Sequence, residues 1–320
     1  MSSITAWTDV HARIKHLYDL RVKNPDLPRI KVNLYRGYEV EAVADAVNEV
    51  TAERGRHPID CLMVADSYLM THLGRSSTRL AGEEEQAWFM GVMCGLIAEI
   101  ASSNSRHFSG KERPFVLGDM PEGAAATPDV AVRNALRFIE IGADAVKIEA
   151  ADTATLAAVS AVTKAGVPVI VHLGYTPQSS ASRRFGVTRA EALDLFAMAV
   201  RARDVGACAL VLERVTVAVN ARLSIPVQNG LPIYSIFSGR CRHAGQSLNV
   251  WDSVFKRDTP TLAFPPTADL MRASYPGSYS REVIRSHFGA LLRLTLDGGF
   301  PVQPPRATEP DLDDISPWDC

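Results

Sequence analysis

The sequence predicts an α/β fold in which eight parallel strands close into a (β/α)8 barrel, and three observations carry that prediction. Eight short runs rich in Val, Ile and Leu recur along the chain. Amphipathic segments with apolar residues at helical spacing separate them. Five consecutive runs finish on polar or charged residues, as strands do when they open on one face of a barrel. Near-continuous apolar runs suit strands buried on both faces, the condition of a parallel sheet covered by crossover helices.

In chain order, residues 1–30 read as an N-terminal helical extension ending in the connector NPDLPR, placed to act as a barrel lid or an oligomer contact. Strands are expected near 31–35 (KVNLY), 60–65 (DCLMVA), 115–118 (FVLG), 144–148 (DAVKI), 167–171 (VPVIV), 208–212 (CALVL), 232–237 (PIYSIF) and 247–251 (SLNVW). Helices are expected over 39–54, 83–101, 128–141, 153–165 and 188–205. Two of these starts carry recognisable caps. Thr127 precedes Pro128, whose missing N–H costs nothing at the first helical position, and Thr188 is followed three residues later by Glu191. From Pro301 the chain turns rich in proline and acid, which predicts an extended, mobile tail. The expected organisation is therefore an extension over 1–30, a barrel over 31–302 and a flexible tail over 303–320.

A chain of 320 residues with 47% hydrophobic content can bury a full-sized core. Its net charge of −2, with signs interspersed, gives no basic stripe, so nucleic acid is excluded as a partner and small solutes are favoured. The five cysteines at 61, 94, 208, 241 and 320 are widely spaced and form no CxxC pair, which argues against a disulfide framework or a zinc site and for a reducing cytoplasm. The start, MSSITAWTDVHARIKHLYDL, has no apolar core of a leader, and no stretch reaches the ~20 apolar residues of a membrane span. A cytoplasmic protein without membrane contact is expected.

The chemistry lies where the strands end. Asp66 and Ser67 close "CLMVADS", Asp119 closes "FVLGD", Lys147 and Glu149 close "AVKIE", His172 follows "VIV" and Glu213 closes "ALVLE". Each has an ordinary structural reading alone: Asp66 as a turn cap, Lys147 with Glu149 as an ion pair, His172 as a core histidine. Their coincidence at five strand ends places them around one mouth. Carboxylates gathered in a partly buried mouth repel one another, and a hard divalent cation, best Mg²⁺, is the usual means of keeping them ionised.

Four stretches, "LMVADSYLMTHLGRSSTRLAG", "FVLGDMPEGAAATPDVAVRNALRFIEIGADAVKIEAA", "GVPVIVHLGYTPQS" and "GACALVLERV", together resemble the ketopantoate hydroxymethyltransferase family, and weaker similarity runs on through "GQSLNVWDSVF" and "LRLTLDGGFP". The resemblance implies a barrel of the phosphoenolpyruvate mutase and isocitrate lyase superfamily. It also implies transfer of a one-carbon unit from 5,10-methylenetetrahydrofolate to the enolate of a 2-oxo acid, 2-oxoisovalerate giving ketopantoate, in a homo-oligomer that is often decameric. By the same resemblance Asp66 and Asp119 match metal-ligating aspartates and Glu149 the acid completing the metal site. Ser67 and Lys147 match residues holding the substrate carboxylate and keto group, His172 a histidine touching the substrate or the groups around it, and Glu213 the proton-transfer glutamate. A folate-independent aldolase or C–C lyase of the same superfamily, and a barrel retained as a non-catalytic subunit, stay open as alternatives.

The departures from the family pattern concern the pocket walls. Ala65, Tyr68 and Leu69 stand in the second-strand signature, Arg36 stands near an acidic position of the first strand, and Ser235 and Phe237 occupy a strand end where close backbone approach favours glycine. The loop "ASRRFGVTR" brings Arg183, Arg184 and Arg189, which as a lid would suit a more anionic substrate.

Overall fold

The computed structural model describes residues 29–55, 57–110, 113–227, 229–250, 281–298 and 309–319. The helix expected before residue 29 lies outside the described residues. Eight parallel strands form a closed barrel in chain order: β1 (Ile30–Asn33), β2 (Ile59–Val64), β3 (Phe115–Asp119), β4 (Ala145–Glu149), β5 (Val169–Gly174), β6 (Ala209–Glu213), β7 (Ile233–Ile236) and β8 (Gly245–Asn249). Closure comes from β1 pairing with β8, Lys31 opposite Ser247 and Asn33 opposite Asn249. All eight strands fall where the apolar runs predict them.

The helices are α1 (Gly37–Arg54), α2 (Tyr68–Thr71), α3 (Gly82–His107), α4 (Pro128–Glu140), α5 (Thr153–Lys164), α6 (Arg189–Asp204), α7 (Val217–Leu223) and α8 (Arg281–Leu296). Thr127 and Thr188 cap α4 and α6 as expected, accepting from the N–H groups of Val130 and Glu191. The last helix packs on the first, and the seam is laced by Arg281 to Asp45, Arg285 to Glu49 and Arg293 to Glu53.

Two apolar layers follow from strand alternation. One side of each strand packs outward against the helices, as Val146 and Ile148 do on β4. The other fills the barrel lumen with Cys61, Met63, Phe115, Leu117, Ala145, Ile170, Ala209, Val211 and Tyr234. On β4 the lumen-facing set continues from Ala145 to Lys147 and Glu149, so the strand finishes with charge because its last inward positions lie above the apolar plug, at the mouth.

Residues 309–319, expected as part of a mobile tail, are instead packed on the barrel. The Glu309 carboxylate accepts from the N–H groups of Val217 (3.2 Å) and Ala218 (3.1 Å) at the start of α7. Leu312 and Trp318 are buried, and the Trp318 indole N–H donates to Leu223 O at 3.0 Å. The composition of this tail conceals three anchors whose partners are far away in sequence.

Candidate active site

The carboxyl ends of the strands surround a cavity of about 130 Å³. Asp66, Ser67, Asp119, Lys147, Glu149, His172 and Glu213 all line it. Every site residue expected from the strand ends is therefore in one place.

The side chains form a connected polar arc from β2 to β6. Asp119, wholly buried, accepts the Lys147 ammonium at 2.8 Å on Oδ2, and the same oxygen accepts the Asp66 N–H at 3.2 Å. Lys147 thus pairs with the aspartate of the neighbouring strand, not with Glu149 on its own. Lys147 Nζ lies 3.4 Å from His172 Nδ1. Glu149 Oε1 stands 3.4 Å from that same nitrogen, and Glu213 Oε2 stands 3.3 Å from His172 Nε2. These last two contacts are close but misdirected: Glu149 Oε1 and His172 Nε2 have no aligned hydrogen-bond partner, and neither has Asp119 Oδ1. Buried polar atoms left in that state are rare in folded proteins and point to a group the site is built to receive.

The electrostatics agree with the geometry. Burial, with the Asp119 charge adding to it, pushes the Asp66 carboxyl well above the usual carboxylate range, while Lys147 opposes. Burial also acts on Lys147, but Asp119, Asp66 and Glu149 outweigh it and raise its pKa, so the ammonium is fixed. Burial would raise Glu149 too; contact with His172 and the charge of Lys147 bring it below the ordinary glutamate value. His172 is pressed down by burial and by Lys147, yet Glu149 and Glu213 on either side raise it overall. It links two carboxylates across adjacent strands.

Several contributors were not singled out by sequence. Gln178, in the loop after β5, donates through Nε2 to Asp66 Oδ2 and to Met120 O, both at 3.0 Å, and its N–H donates to Glu149 Oε2 at 3.0 Å. Tyr35 shares a hydrogen bond with Ser67 Oγ (2.8 Å) and accepts from Asn249 Nδ2 (3.0 Å). Gly174 has φ 91°, and a Cβ there would lie 2.3 Å from the Glu213 carbonyl oxygen, so β5 needs glycine to let Glu213 sit beside it. Phe237 has φ 51°, the conformation that favours glycine at that strand end, and it lines the cavity. Lys31 lines the cavity from β1.

Arg183 and Arg184 of the β5–α6 loop, and Arg189 at the start of α6, do not line the cavity. Arg183 pairs with Glu191 (3.0 Å) and lies over the Phe185 ring, Arg184 donates to Val215 O, and Arg189 pairs with Asp314 (2.6 Å). Their charge is spent on loop and tail, which removes the reason to read them as substrate ligands. Arg36 likewise pairs with Glu99 at 3.1 Å, and Tyr68 stacks on His72 rather than crowding the carboxylates.

The profile of ketopantoate hydroxymethyltransferase matches residues 42–264, a span holding all seven of these site residues. The chain belongs to the ketopantoate hydroxymethyltransferase family. A 3-methyl-2-oxobutanoate hydroxymethyltransferase of Cenarchaeum symbiosum (strain A) is 38% identical over 186 residues, covering 56% of this chain and 64% of that protein. Its counterpart in Pyrobaculum islandicum is 32% identical over 241 residues, covering 72% of this chain and 85% of that protein. The match to the first thus spans slightly less than two thirds of its length. Among solved structures, oxaloacetate acetylhydrolase in complex with 3,3-difluorooxalacetate superposes with a TM-score of 0.50 at 16% identity, over 90% of this chain and 97% of that one. This is a likeness of fold. Within the ketopantoate hydroxymethyltransferase match the charged strand ends are inside the aligned span, whereas β1 with Lys31, and Tyr35 just after it, precede that span.

Among the described residues, no three His, Cys, Asp or Glu side chains stand together as a complete metal cluster. Magnesium does not require one, because it keeps several waters and takes one or two carboxylates together with oxygens of the substrate. All-oxygen donors and the unsatisfied Asp119 Oδ1 and Glu149 Oε1 fit that kind of ion.

Proposed function

We propose that this protein is a Mg²⁺-dependent hydroxymethyltransferase that adds a one-carbon unit from 5,10-methylenetetrahydrofolate to the enolate of a 2-oxo acid, working in the cytoplasm as a homo-oligomer. The observation that carries the reading is the convergence of Asp66, Asp119, Lys147, Glu149, His172 and Glu213 on one buried cavity, with carboxylate oxygens of Asp119 and Glu149 left unsatisfied. Asp66 and Asp119 would hold the ion, with Glu149 completing the site directly or through water. When bound, Mg²⁺ supplies polarisation of the ketone, which makes the neighbouring C–H acidic.

The remaining work falls to side chains. Lys147, kept cationic by the carboxylates around it, offsets the substrate carboxylate and the charge that develops on the keto oxygen. Ser67, held by Tyr35, orients the carboxylate. Glu213 stands on β6, across His172 from Glu149, and takes the proton from the carbon beside the ketone at a carboxylate oxygen. His172 stands between Glu213 on one side and Glu149 on the other, so proton-transfer acid and metal acids stay apart. The enolate carbon then bonds to the methylene carbon of the donor, the carbon–nitrogen bonds to the folate break, water supplies the hydroxyl oxygen, and tetrahydrofolate leaves.

Proton exchange tests this without assuming the donor. In D₂O, a 2-oxo acid substrate should lose its C3–H NMR signal only when protein and Mg²⁺ are both present. Product should then form with methylenetetrahydrofolate. Product formed from formaldehyde alone at the same rate would identify a folate-independent aldolase, and absence of exchange across a panel of 2-oxo acids would refute enolate chemistry.

A further inference from the structure

The arc from β2 to β6 accounts for one end of a 2-oxo acid. The opposite wall of the same cavity, at the β1–β8 seam, holds a lysine that this chemistry does not use. Lys31 is 1% exposed. Its Nζ donates to Asn33 Oδ1 at 2.6 Å and lies 3.3 Å from Met63 Sδ. Among the described residues no carboxylate stands within ion-pair distance of it, in contrast to Lys147, which has Asp119 at 2.8 Å.

A buried cation without a counter-ion costs several kcal/mol unless something supplies the missing charge. The neighbouring strand repeats the deficit. Ser247 sits opposite Lys31 in the β1–β8 register and faces the same cavity; it is 8% exposed, and its Oγ has no hydrogen-bond partner. An ammonium without a counter-charge and a hydroxyl without a hydrogen-bond partner, both buried, therefore face one space from adjacent strands. That combination recognises an oxyanion: the lysine gives charge, the hydroxyl a directed O–H donor.

We propose that Lys31 and Ser247 form an anion subsite for a second carboxylate on the substrate, so that the 2-oxo acid taken by this protein is dicarboxylic. This rests on the 2-oxo acid reading above and names its substrate class. One carboxylate and the ketone face Lys147 and the acids of β2 to β4; the other carboxylate reaches across the mouth to β1 and β8. Burial brings the Lys31 amine down to about 8, with Cys61 pulling it up, Lys147 adding to the depression, and Asp119 and Glu213 opposing, so it is still cationic at neutral pH. A hydrocarbon side chain in that position would leave the ammonium and the hydroxyl bare.

Calorimetric titration of the full chain with 2-oxoisovalerate, oxaloacetate and 2-oxoglutarate, with C3–H exchange followed in parallel, tests the subsite. Wild type should bind one of the dicarboxylates at least about tenfold more tightly than 2-oxoisovalerate. Lys31→Met should abolish that preference while changing 2-oxoisovalerate affinity less than about twofold, and Ser247→Ala should weaken the dicarboxylate several-fold. An unchanged preference in both variants overturns the subsite. So does tighter wild-type binding of 2-oxoisovalerate, or trapping of a covalent adduct on Lys31 by borohydride, which would make the amine a nucleophile. Dicarboxylate binding that needs Lys31, without proton exchange, upholds the subsite and refutes the proposed reaction. Exchange without the preference does the reverse, and binding of none of the three acids overturns both.

Discussion

The two sides of the barrel mouth are built on opposite electrostatic plans. From β2 to β6 the charges are mutually arranged: Asp119 with Lys147, His172 between Glu149 and Glu213, Gln178 tying Asp66 to Glu149. Across the cavity, β1 and β8 present Lys31 beside neutral groups alone. On the first side the charges constrain one another, with Asp119 Oδ1, Glu149 Oε1 and His172 Nε2 left open to a ligand. The second is organised to be completed from outside, at a standing cost to stability. On the proposed reading, reaction chemistry and substrate selection fall to different strands.

Substitutions sharpen or break that contrast in decreasing order of effect. Asp119→Ala removes the acid shared by Lys147 and the Asp66 N–H, and should lower Mg²⁺-dependent proton exchange by about a thousandfold with the circular dichroism spectrum retained. Full exchange in that variant would remove the arc from the chemistry. Glu213→Gln keeps the shape and discards the proposed base, so kcat should fall roughly 10²- to 10⁴-fold with KM little changed, as read from initial rates.

Lys31→Met should act in the other direction, on stability. Folding takes this amine from 10.5 to about 8, so the folded chain binds the proton more weakly than the unfolded one. Stability therefore rises with pH between about 8 and 10.5, and below 8 the full penalty applies, roughly 3 kcal/mol at most. The variant should melt higher than wild type at pH 7, with the gap closing towards pH 10; equal Tm values at pH 7 would mean that Lys31 is already compensated. The smallest change belongs outside the mouth: Arg285→Ala, at the exposed α1–α8 seam, should cost less than about 1 kcal/mol in denaturant melts and leave both sides of the cavity alone.

Much of this architecture is legible in the residues. Buried strands announce themselves as apolar runs, and a charged residue closing such a run, as in Asp119 or Glu213, has few reasons to be there except a shared mouth. What escapes is whatever depends on register or direction. Lys31 opens the run KVNLY, and nothing in the run says which way it faces; its place opposite Ser247 and in the cavity lining does. Gln178 lies in a loop, 112 residues from the Asp66 it holds, and an amide carries no sequence signal of such a reach. The loop arginines mislead for the same reason, since charge on a loop does not say which way it faces. Helices α2 and α7 are too short for periodicity; α8 lies outside the five expected helices although it repeats Ile284, Phe288 and Leu291 at helical spacing.

The seating of Glu309 on α7 and of Trp318 against Leu223 O has a practical consequence. The same helix is capped by Thr216, three positions beyond Glu213. A carrier joined to the chain close to Trp318 would pull on the segment that holds α7, the helix following the strand of Glu213. Assays run on such a fusion would read a displaced Glu213.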